Sequence, residues 1–211
     1  MARCRPDGRW FVRSPDDDKP GVDLYATVDA NEIAAYAARG FGVHRRENHY
    51  LVPTGTVPLV EPPAGFELLT ADRIEEDRLR ELDDHLRQDV PGSDGWRWDA
   101  AGFRAELSGA DFDPTTYIVA VHGEEYVGIA RVWMRRPIPR LGFVGVSRPY
   151  RRRGVALALL SRAFGVLASR GIPELTTEID ETNAPSRGLL EGLGARRVGA
   201  SVELLLRRTT P

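Results

Sequence analysis

The feature that most constrains the fold is a strand, an arginine-rich loop and a helix that follow one another directly. Leu141 to Val146 has the hydrophobic content of a strand, the loop RPYRRRG follows, and Gly154 to Arg170 carries apolar residues at helical spacing. Beyond Pro173, apolar side chains at Leu175 and Ile179 lie on one face of a further strand. Because a helix that joins two strands lets them pair in parallel, this passage predicts an α/β fold.

The elements around this passage predict a mixed α/β (α+β) sheet with helices on both faces. From Phe66 to Leu206 the strand and helix signals follow the order βααβββαβαβ. The individual expectations are a strand at Phe66–Leu69, a helix opened by a capping box of Asp72 and Glu75, a second helix capped by Asp99, a hairpin around His122–Glu125, a short helix opened by Asn183 and a last strand at Val202–Leu206.

Composition limits the class of protein. With 211 residues and 42% hydrophobic content, the chain can build one core with a small appendage. A net charge of -2 gives no general attraction to nucleic acid or to an anionic membrane, and no apolar stretch is long enough to span a bilayer. The N-terminus lacks an apolar signal-peptide core, so we expect a cytoplasmic protein. A single cysteine, Cys4, and four scattered histidines predict neither a disulfide nor a metal site.

A proline-rich stretch divides the chain into three parts. We expect an N-terminal segment at 1–53, a linker at 54–65 and the main domain at 66–211. Asp23–Pro53 and Glu174–Arg207 share a strand, a short helix, a glycine turn and a β-rich tail, which favours an internal repeat. The alternative is that any strand-helix-strand unit looks alike at this level.

The arginine-rich loop is suited to a diphosphate. The first amides of a helix have no partners within the helix, and the positive end of the helix dipole points into the loop. Gly154 and Ala156 leave room for close approach, while arginine side chains add positive charge. The backbone amides of Arg152, Arg153, Gly154 and Ala156 can converge on the ligand. The alternatives are a solvated basic turn and a nucleic-acid patch, but the domain as a whole is nearly neutral.

The pattern Arg151-x-x-Gly154-x-Ala156 after a strand resembles motif A of the GCN5-related N-acetyltransferase (GNAT) family, Q/R-x-x-G-x-G/A. A set of five residues farther along the chain is similar to motif B of the family: Asn183, Ser186, Leu189, Leu193 and Gly194. The resemblance extends from Phe66 to Leu206. It implies the GNAT fold, with the N-terminal segment resembling the second half of the same fold.

The resemblance also implies acetyl-coenzyme A as cofactor. Its pyrophosphate would lie on the loop Arg151–Ala156, and its pantetheine arm would pair with the strand edge at Val144 and Val146. The amide of Val146 would polarise the thioester carbonyl. Asn183 and Ser186 complete the cofactor side.

The catalytic groups are less clearly indicated. Many relatives carry a tyrosine acid where this chain has Leu190, and others carry a glutamate on the strand before the loop, which here has no ionisable residue. Glu178 and Asp180 are the candidates that remain, acting through water. The alternative is an edge carboxylate or a helix cap.

In this family the loop between the first two helices usually walls the acceptor pocket. Here it contains Asp89, Asp94, Trp96 and Trp98, and carboxylates beside indoles suit an ammonium group. The alternative is that these residues cap a helix, make a turn and fill the core. We expect an N-acetyltransferase on a small-molecule or protein amine, or a non-catalytic relative that binds acyl-coenzyme A or a partner. Whether the N-terminal segment docks on its own domain or on a second chain to form a homodimer is left open.

Overall fold

The computed structural model describes residues 3–4, 10–11, 24–28, 30–93 and 95–207. The strands are β1 Arg3–Cys4, β2 Trp10–Phe11, β3 Leu24–Val28, β4 Gly42–Pro53, β5 Phe66–Thr70, β6 Tyr117–His122, β7 Glu125–Trp133, β8 Arg140–Val146, β9 Glu174–Asp180 and β10 Arg196–Leu206. The α-helices are α1 Ile33–Ala37, α2 Glu76–Arg87, α3 Ala100–Leu107, α4 Val155–Ser169 and α5 Ala184–Gly192. From β5 to β10 this is the predicted order, and the mixed α/β fold is confirmed.

All described strands belong to one sheet in the order β1-β2-β3-β10-β4-β9-β8-β7-β6-β5. Strands β5 to β8 form an antiparallel meander, and α4 connects β8 to the parallel strand β9. One core lies between the sheet and α4, and a second lies between the meander and helices α2 and α3. The helices therefore cover both faces, as predicted. None of the helices in the described ranges has the length and apolar content that crossing a membrane requires.

The start of α2 differs from the prediction. A short 3-10 helix at Ala71–Arg73 precedes an extended Ile74, and Glu75 is the N-cap of α2 without a side-chain hydrogen bond. The predicted capping box of Asp72 and Glu75 is therefore wrong. Because Ile74 is extended, Asp72 and Glu75 do not belong to the same helical turn. The cap of α3 is confirmed, since the Asp99 carboxylate accepts a 2.8 Å hydrogen bond from the Gly102 amide.

Strands β8 and β9 separate soon after they meet. Their ladder has one pair, Arg140 with Thr176. The Thr177 hydroxyl donates to the Leu141 carbonyl at 3.0 Å, and beyond this point the two strands are not paired. The rest of β8 thus presents an edge to an opening in the middle of the sheet.

The N-terminal segment contributes a strand to the interior of the sheet. β4 pairs in antiparallel fashion with β9 on one side and with β10 on the other. Tyr50 and Val52 of β4 are buried in the core against α4. The stretch predicted as a linker is also packed, because the Val60 amide donates to Ser161 Oγ of α4 at 2.7 Å and the Thr54 hydroxyl donates to the Ile172 carbonyl at 2.5 Å. The boundaries of the three parts stay a prediction.

The unit β3-α1-β4 has the same arrangement as the unit β9-α5-β10. β3 pairs with β10 as β9 pairs with β4, in antiparallel fashion. Gly40 and Gly194 follow the two helices with φ of 88° and 87°. In each unit the residue after the glycine, Phe41 or Ala195, donates its amide to the carbonyl five positions earlier, at 3.2 and 3.0 Å. The two segments that look alike in sequence therefore share strand pairing and helix ending.

Candidate active site

The opening between β8 and β9 is a cavity of about 100 Å³ that is partly open to solvent. It brings together several residues predicted from the sequence: Val144, Glu178, Asp180, Asn183 and Ser186, with Leu190 beside them. The rest of the lining consists of Arg45, Glu47, Val90, Pro91, Leu141, Gly142, Phe143, Thr177 and Ile179. The cavity is therefore shared by β4, β8, β9, α5 and the loop after α2.

The β8 edge presents backbone groups to this opening. The Ser147 amide donates to the Val127 carbonyl of β7 at 2.8 Å. Because successive residues of a strand direct their backbone groups to opposite sides, Val144 and Val146 point theirs away from β7 and toward the opening. This is the strand edge along which an extended ligand arm can pair.

The predicted diphosphate loop lies at the start of α4. Gly154 is the N-cap of the helix with φ of 87°, and Arg152 has φ of 61°, a conformation that few residues other than glycine adopt. Arg152, Arg153 and Gly154 are exposed. A methyl group on Gly154 would come no closer than 3.8 Å to Pro63, so the space in front of the first helical turn is open. Unpartnered amides, an open approach and two exposed guanidiniums fit a diphosphate.

The side chain of Arg151 is bound to the end of β8 and to the end of α2. Its Nε donates to the Val146 carbonyl at 2.7 Å, and its Nη2 is bound to Asp89 at the end of α2. Arg148 also donates to Asp89, at 2.5 Å. Hydrogen bonds from Arg148 and Arg151 outweigh the effect of burial and lower the pKa of Asp89 to about 2. Arg151 thus fastens the loop to the end of α2 through Asp89. The cofactor role of Arg151 and the acceptor role of Asp89 stay predictions.

The two predicted catalytic carboxylates have different surroundings. Glu178 forms an ion pair with Arg140 at the closed end of the opening. Asp180 ends β9, and its Oδ1 accepts hydrogen bonds from the amide and hydroxyl of Thr182 at 2.9 and 2.5 Å. Both line the cavity. Asn183 caps α5 by accepting the Ser186 amide at 3.2 Å, so its side chain has a structural role at the cavity wall.

Three of the predicted acceptor residues lie on the loop after α2, and their surroundings differ. Trp98 is 5% exposed, and its indole N–H donates to Asp83 at 2.9 Å, so burial corrects its assignment to a substrate pocket. Asp94 lies outside the described residues. Trp96 is half-buried and packs edge-on against Trp98 with the ring centroids 4.8 Å apart, while the Arg87 guanidinium lies 5.0 Å from its ring.

Sequence reasoning missed the contributions of Val90 and Pro91 and of two charged residues on β4, Arg45 and Glu47. Arg45 also contacts the loop after α2, because a methyl group on Gly92 would lie 3.3 Å from its side chain. The run of three charged residues on β4, Arg45 to Glu47, is visible in the sequence. Nothing in it showed that this strand lies next to β9.

The comparisons with known proteins agree with this geometry. The model of the Acetyltransferase (GNAT) family matches residues 76–195. Mycothiol acetyltransferase from Thermobispora bispora is 29% identical over 219 residues, covering 95% of this chain and 70% of the relative.

Solved structures share the fold. A GCN5-related N-acetyltransferase from Sphaerobacter thermophilus has a TM-score of 0.70 at 23% identity, covering 89% of this chain and 60% of that one. A tandem GNAT protein from the clavulanic acid biosynthesis pathway has a TM-score of 0.64 at 18% identity, covering 87% and 63%. The chain thus spans less than two thirds of the length of these two structures. Because the family match covers more than half of its 211 residues, the chain belongs to the GNAT acetyltransferase family.

Proposed function

We propose that the chain transfers an acetyl group from acetyl-coenzyme A to a primary amine of a small molecule or a protein. The observation that carries this proposal is the continuity between the open loop at the start of α4, the free edge of β8 and the cavity beside it. A diphosphate, an extended arm and an acyl group follow one another in acetyl-coenzyme A in the same order.

The residues that would hold the cofactor fit its chemistry. The amides at the start of α4 and the exposed guanidiniums of Arg152 and Arg153 suit the diphosphate. The backbone groups of Val144 and the amide of Val146 suit the amides of the arm, whereas the Val146 carbonyl is already bound by Arg151. When bound, acetyl-coenzyme A supplies an acetyl thioester that an amine can attack.

The chain provides a donor for the developing negative charge and an acceptor for the proton. The amide of Val146 points into the opening and is a fixed donor for the thioester carbonyl oxygen. The acceptor amine has to lose a proton. Asp180, acting through water, is better placed to accept it than Glu178, because Glu178 forms an ion pair with Arg140. The tyrosine acid of many relatives is replaced by Leu190, which is buried, so the thiolate takes its proton from solvent.

A panel of primary amines incubated with acetyl-coenzyme A and the full chain tests the proposal. Released thiol that depends on both substrates is the expected result. Gly154→Asp should abolish it by placing a negative charge at the diphosphate, whereas Gly171→Asp, the same change at an open position that also has a positive φ (71° compared with 87°), should not. Binding of coenzyme A without thiol release from any amine would favour the non-catalytic alternative. Cytoplasmic location and the absence of nucleic-acid partners stay predictions.

A further inference from the structure

The cavity between β8 and β9 is apolar where it is most deeply buried. The charged residues of its lining are all half-buried: Arg45, Glu47, Glu178 and Asp180. Four apolar residues of the lining are instead at most 7% exposed: Leu141, Phe143, Ile179 and Leu190. An apolar group that enters the cavity is therefore most stable against these four side chains, because it is removed from water there.

The cavity ends where β8 and β9 meet. At this point the Thr177 hydroxyl donates to the Leu141 carbonyl at 3.0 Å, and Arg140 pairs with Thr176 in the ladder next to it. The ion pair of Arg140 and Glu178 lies beside the same end. A group that lies against Leu141 thus has no space to extend further between the two strands.

Leu190 is the apolar residue that α5 contributes to the wall. Its side chain is 1% exposed and packs in the core that includes α4. Its carbonyl accepts the amides of Leu193 and Ala195, each at 3.0 Å, and the Asn183 cap fixes the other end of the helix. Because a close-packed core leaves little room for a side chain to move aside, Leu190 is a rigid boundary of the cavity.

The volume of the cavity matches the reactive end of an acetyl thioester. The cavity measures about 100 Å³. An apolar protein cavity of about 150 Å³ holds benzene, with its six carbon atoms, so about 100 Å³ holds roughly four atoms of this size. The sulfur, the carbonyl carbon and oxygen and the methyl group of an acetyl thioester are four such atoms. A butyryl thioester adds two methylene groups, for which the wall would have to move.

We propose that Leu190 restricts the transferred acyl group to a short chain and so selects acetyl over longer acyl groups. This inference rests on the proposed function, because it requires the coenzyme A arm on the β8 edge at Val144 and the acyl group in the cavity. The arm and the acceptor amine take the side that is open to solvent, so the acyl chain extends toward the buried apolar wall. The position of the family's tyrosine thus sets the length of the acyl chain in this protein.

Calorimetric titration of the full chain with acetyl-coenzyme A and with butyryl-coenzyme A tests this assignment without requiring turnover. The wild type should bind the butyryl thioester about tenfold or more weakly than the acetyl thioester, since misfitting methylene groups in a filled apolar pocket have effects on this scale. Leu190→Ala should bring the two affinities to within about threefold of each other, because the truncated side chain leaves room for the longer chain.

Leu167→Ala is the matched control. Leu167 is fully buried on α4 in the same core, but it does not line the cavity. This variant loses stability for the same reason as Leu190→Ala and should nevertheless keep the wild-type preference. Leu190→Val removes less volume and should give an intermediate preference, and it takes the place of the alanine variant if that variant does not fold.

Equal affinities of the wild type for the two thioesters would overturn the assignment. A preference that neither Leu190 variant changes, or that Leu167→Ala reduces as much as Leu190→Ala does, would overturn it as well. If neither thioester binds, the coenzyme A site itself is wrong and the assignment falls with it. A wild-type preference that Leu190→Ala removes, without thiol release from any amine, refutes the transfer reaction alone.

Discussion

Arg151, the first residue of the motif that predicts diphosphate binding, is bound to Asp89 at the end of α2. Arg148 from the other side of the same loop donates to the same carboxylate. The loop is thus held in place by a residue that precedes it by about 60 positions, and a single carboxylate connects the predicted cofactor loop to the end of α2. The order of the cofactor loop should therefore depend on Asp89.

Asp89→Asn should destabilise the protein at neutral pH by removing the charge that both guanidiniums bind. The lowered pKa of about 2, compared with the ordinary 3.8, fixes the pH window. A carboxyl whose pKa is depressed by folding contributes stability above its unfolded pKa and loses that contribution as the pH falls toward its folded pKa. The difference between wild type and Asp89→Asn should therefore be full above pH about 4 and vanish toward pH about 2.

Urea unfolding of both proteins at a series of pH values measures this difference. Asp72→Asn, at an exposed position in front of α2, is the control and should follow the wild type throughout. A difference for Asp89→Asn that persists unchanged at pH about 2 would show that the carboxylate charge is not what holds the loop.

A leucine in place of the family's tyrosine leads to a second prediction. Leu190 is 1% exposed and belongs to the core formed with α4. Leu190→Ala should reduce the free energy of unfolding by about 2–5 kcal/mol, because it leaves a cavity in a packed core. Turnover per folded molecule should stay unchanged, since an aliphatic side chain transfers no proton. Comparing rates at a temperature where both proteins are folded tests this, and a selective loss of turnover would contradict the structural role.

The elements were predictable where local pattern decides. The apolar spacing of α4, the hairpin of β6 and β7, and the cap at Asp99 all depend on residues within a few positions of one another. The predicted capping box was wrong, because its pattern does not show that Ile74, between the two members, is extended.

The placement of β4 could not be predicted, because the choice of strand partners depends on contacts across the whole chain. Glu47 and Asp180 are adjacent in space but far apart in sequence. The role of Trp98 was similarly hidden, because its indole is fixed by Asp83, a residue whose burial the sequence does not show. The position of the arginine-rich loop between β8 and α4 was therefore predictable from its motif, whereas the placement of β4 and of Trp98 required the tertiary structure.

The buried network around Asp83 gives a third prediction. Burial opposes ionisation of Asp83, but the positive charges of Arg131 and Arg87 and the hydrogen bonds from Arg87 and Trp98 hold its pKa below the usual range. Arg131→Met should cost about 3 kcal/mol or more, because it leaves a buried carboxylate short of a partner. The double variant Asp83→Leu/Arg131→Met should regain much of that loss.

Urea unfolding of the two single variants and the double variant forms the required cycle. If the residues act as a pair, the double variant is less destabilised than the sum of the single variants by about 1–3 kcal/mol. Strict additivity would mean that Asp83 and Arg131 contribute to the core independently, although Arg131 Nη1 lies 3.4 Å from Asp83 Oδ2.

The last prediction concerns the N-terminal segment. Because β4 lies between β9 and β10, a chain of residues 63–211 alone would expose the edges of two interior strands and the apolar surface that β4 covers. Free edges of this kind pair with other chains, so this fragment should aggregate or form oligomers. Co-expression with residues 1–62 should restore a soluble one-to-one complex that size-exclusion chromatography detects.

The full-length chain offers a matched pair of substitutions for the same question. Val52 is fully buried on β4, whereas Val43 on the same strand is 49% exposed. Val52→Asp should strongly destabilise the fold, by about 4 kcal/mol or more, since it buries an unpaired carboxyl in the core, whereas Val43→Asp should change the free energy of unfolding by about 0.5 kcal/mol or less. A soluble, monomeric fragment of residues 63–211 that is as stable as the whole chain would contradict this role for β4. In that case the fragment would have to satisfy the edges of β9 and β10 without β4.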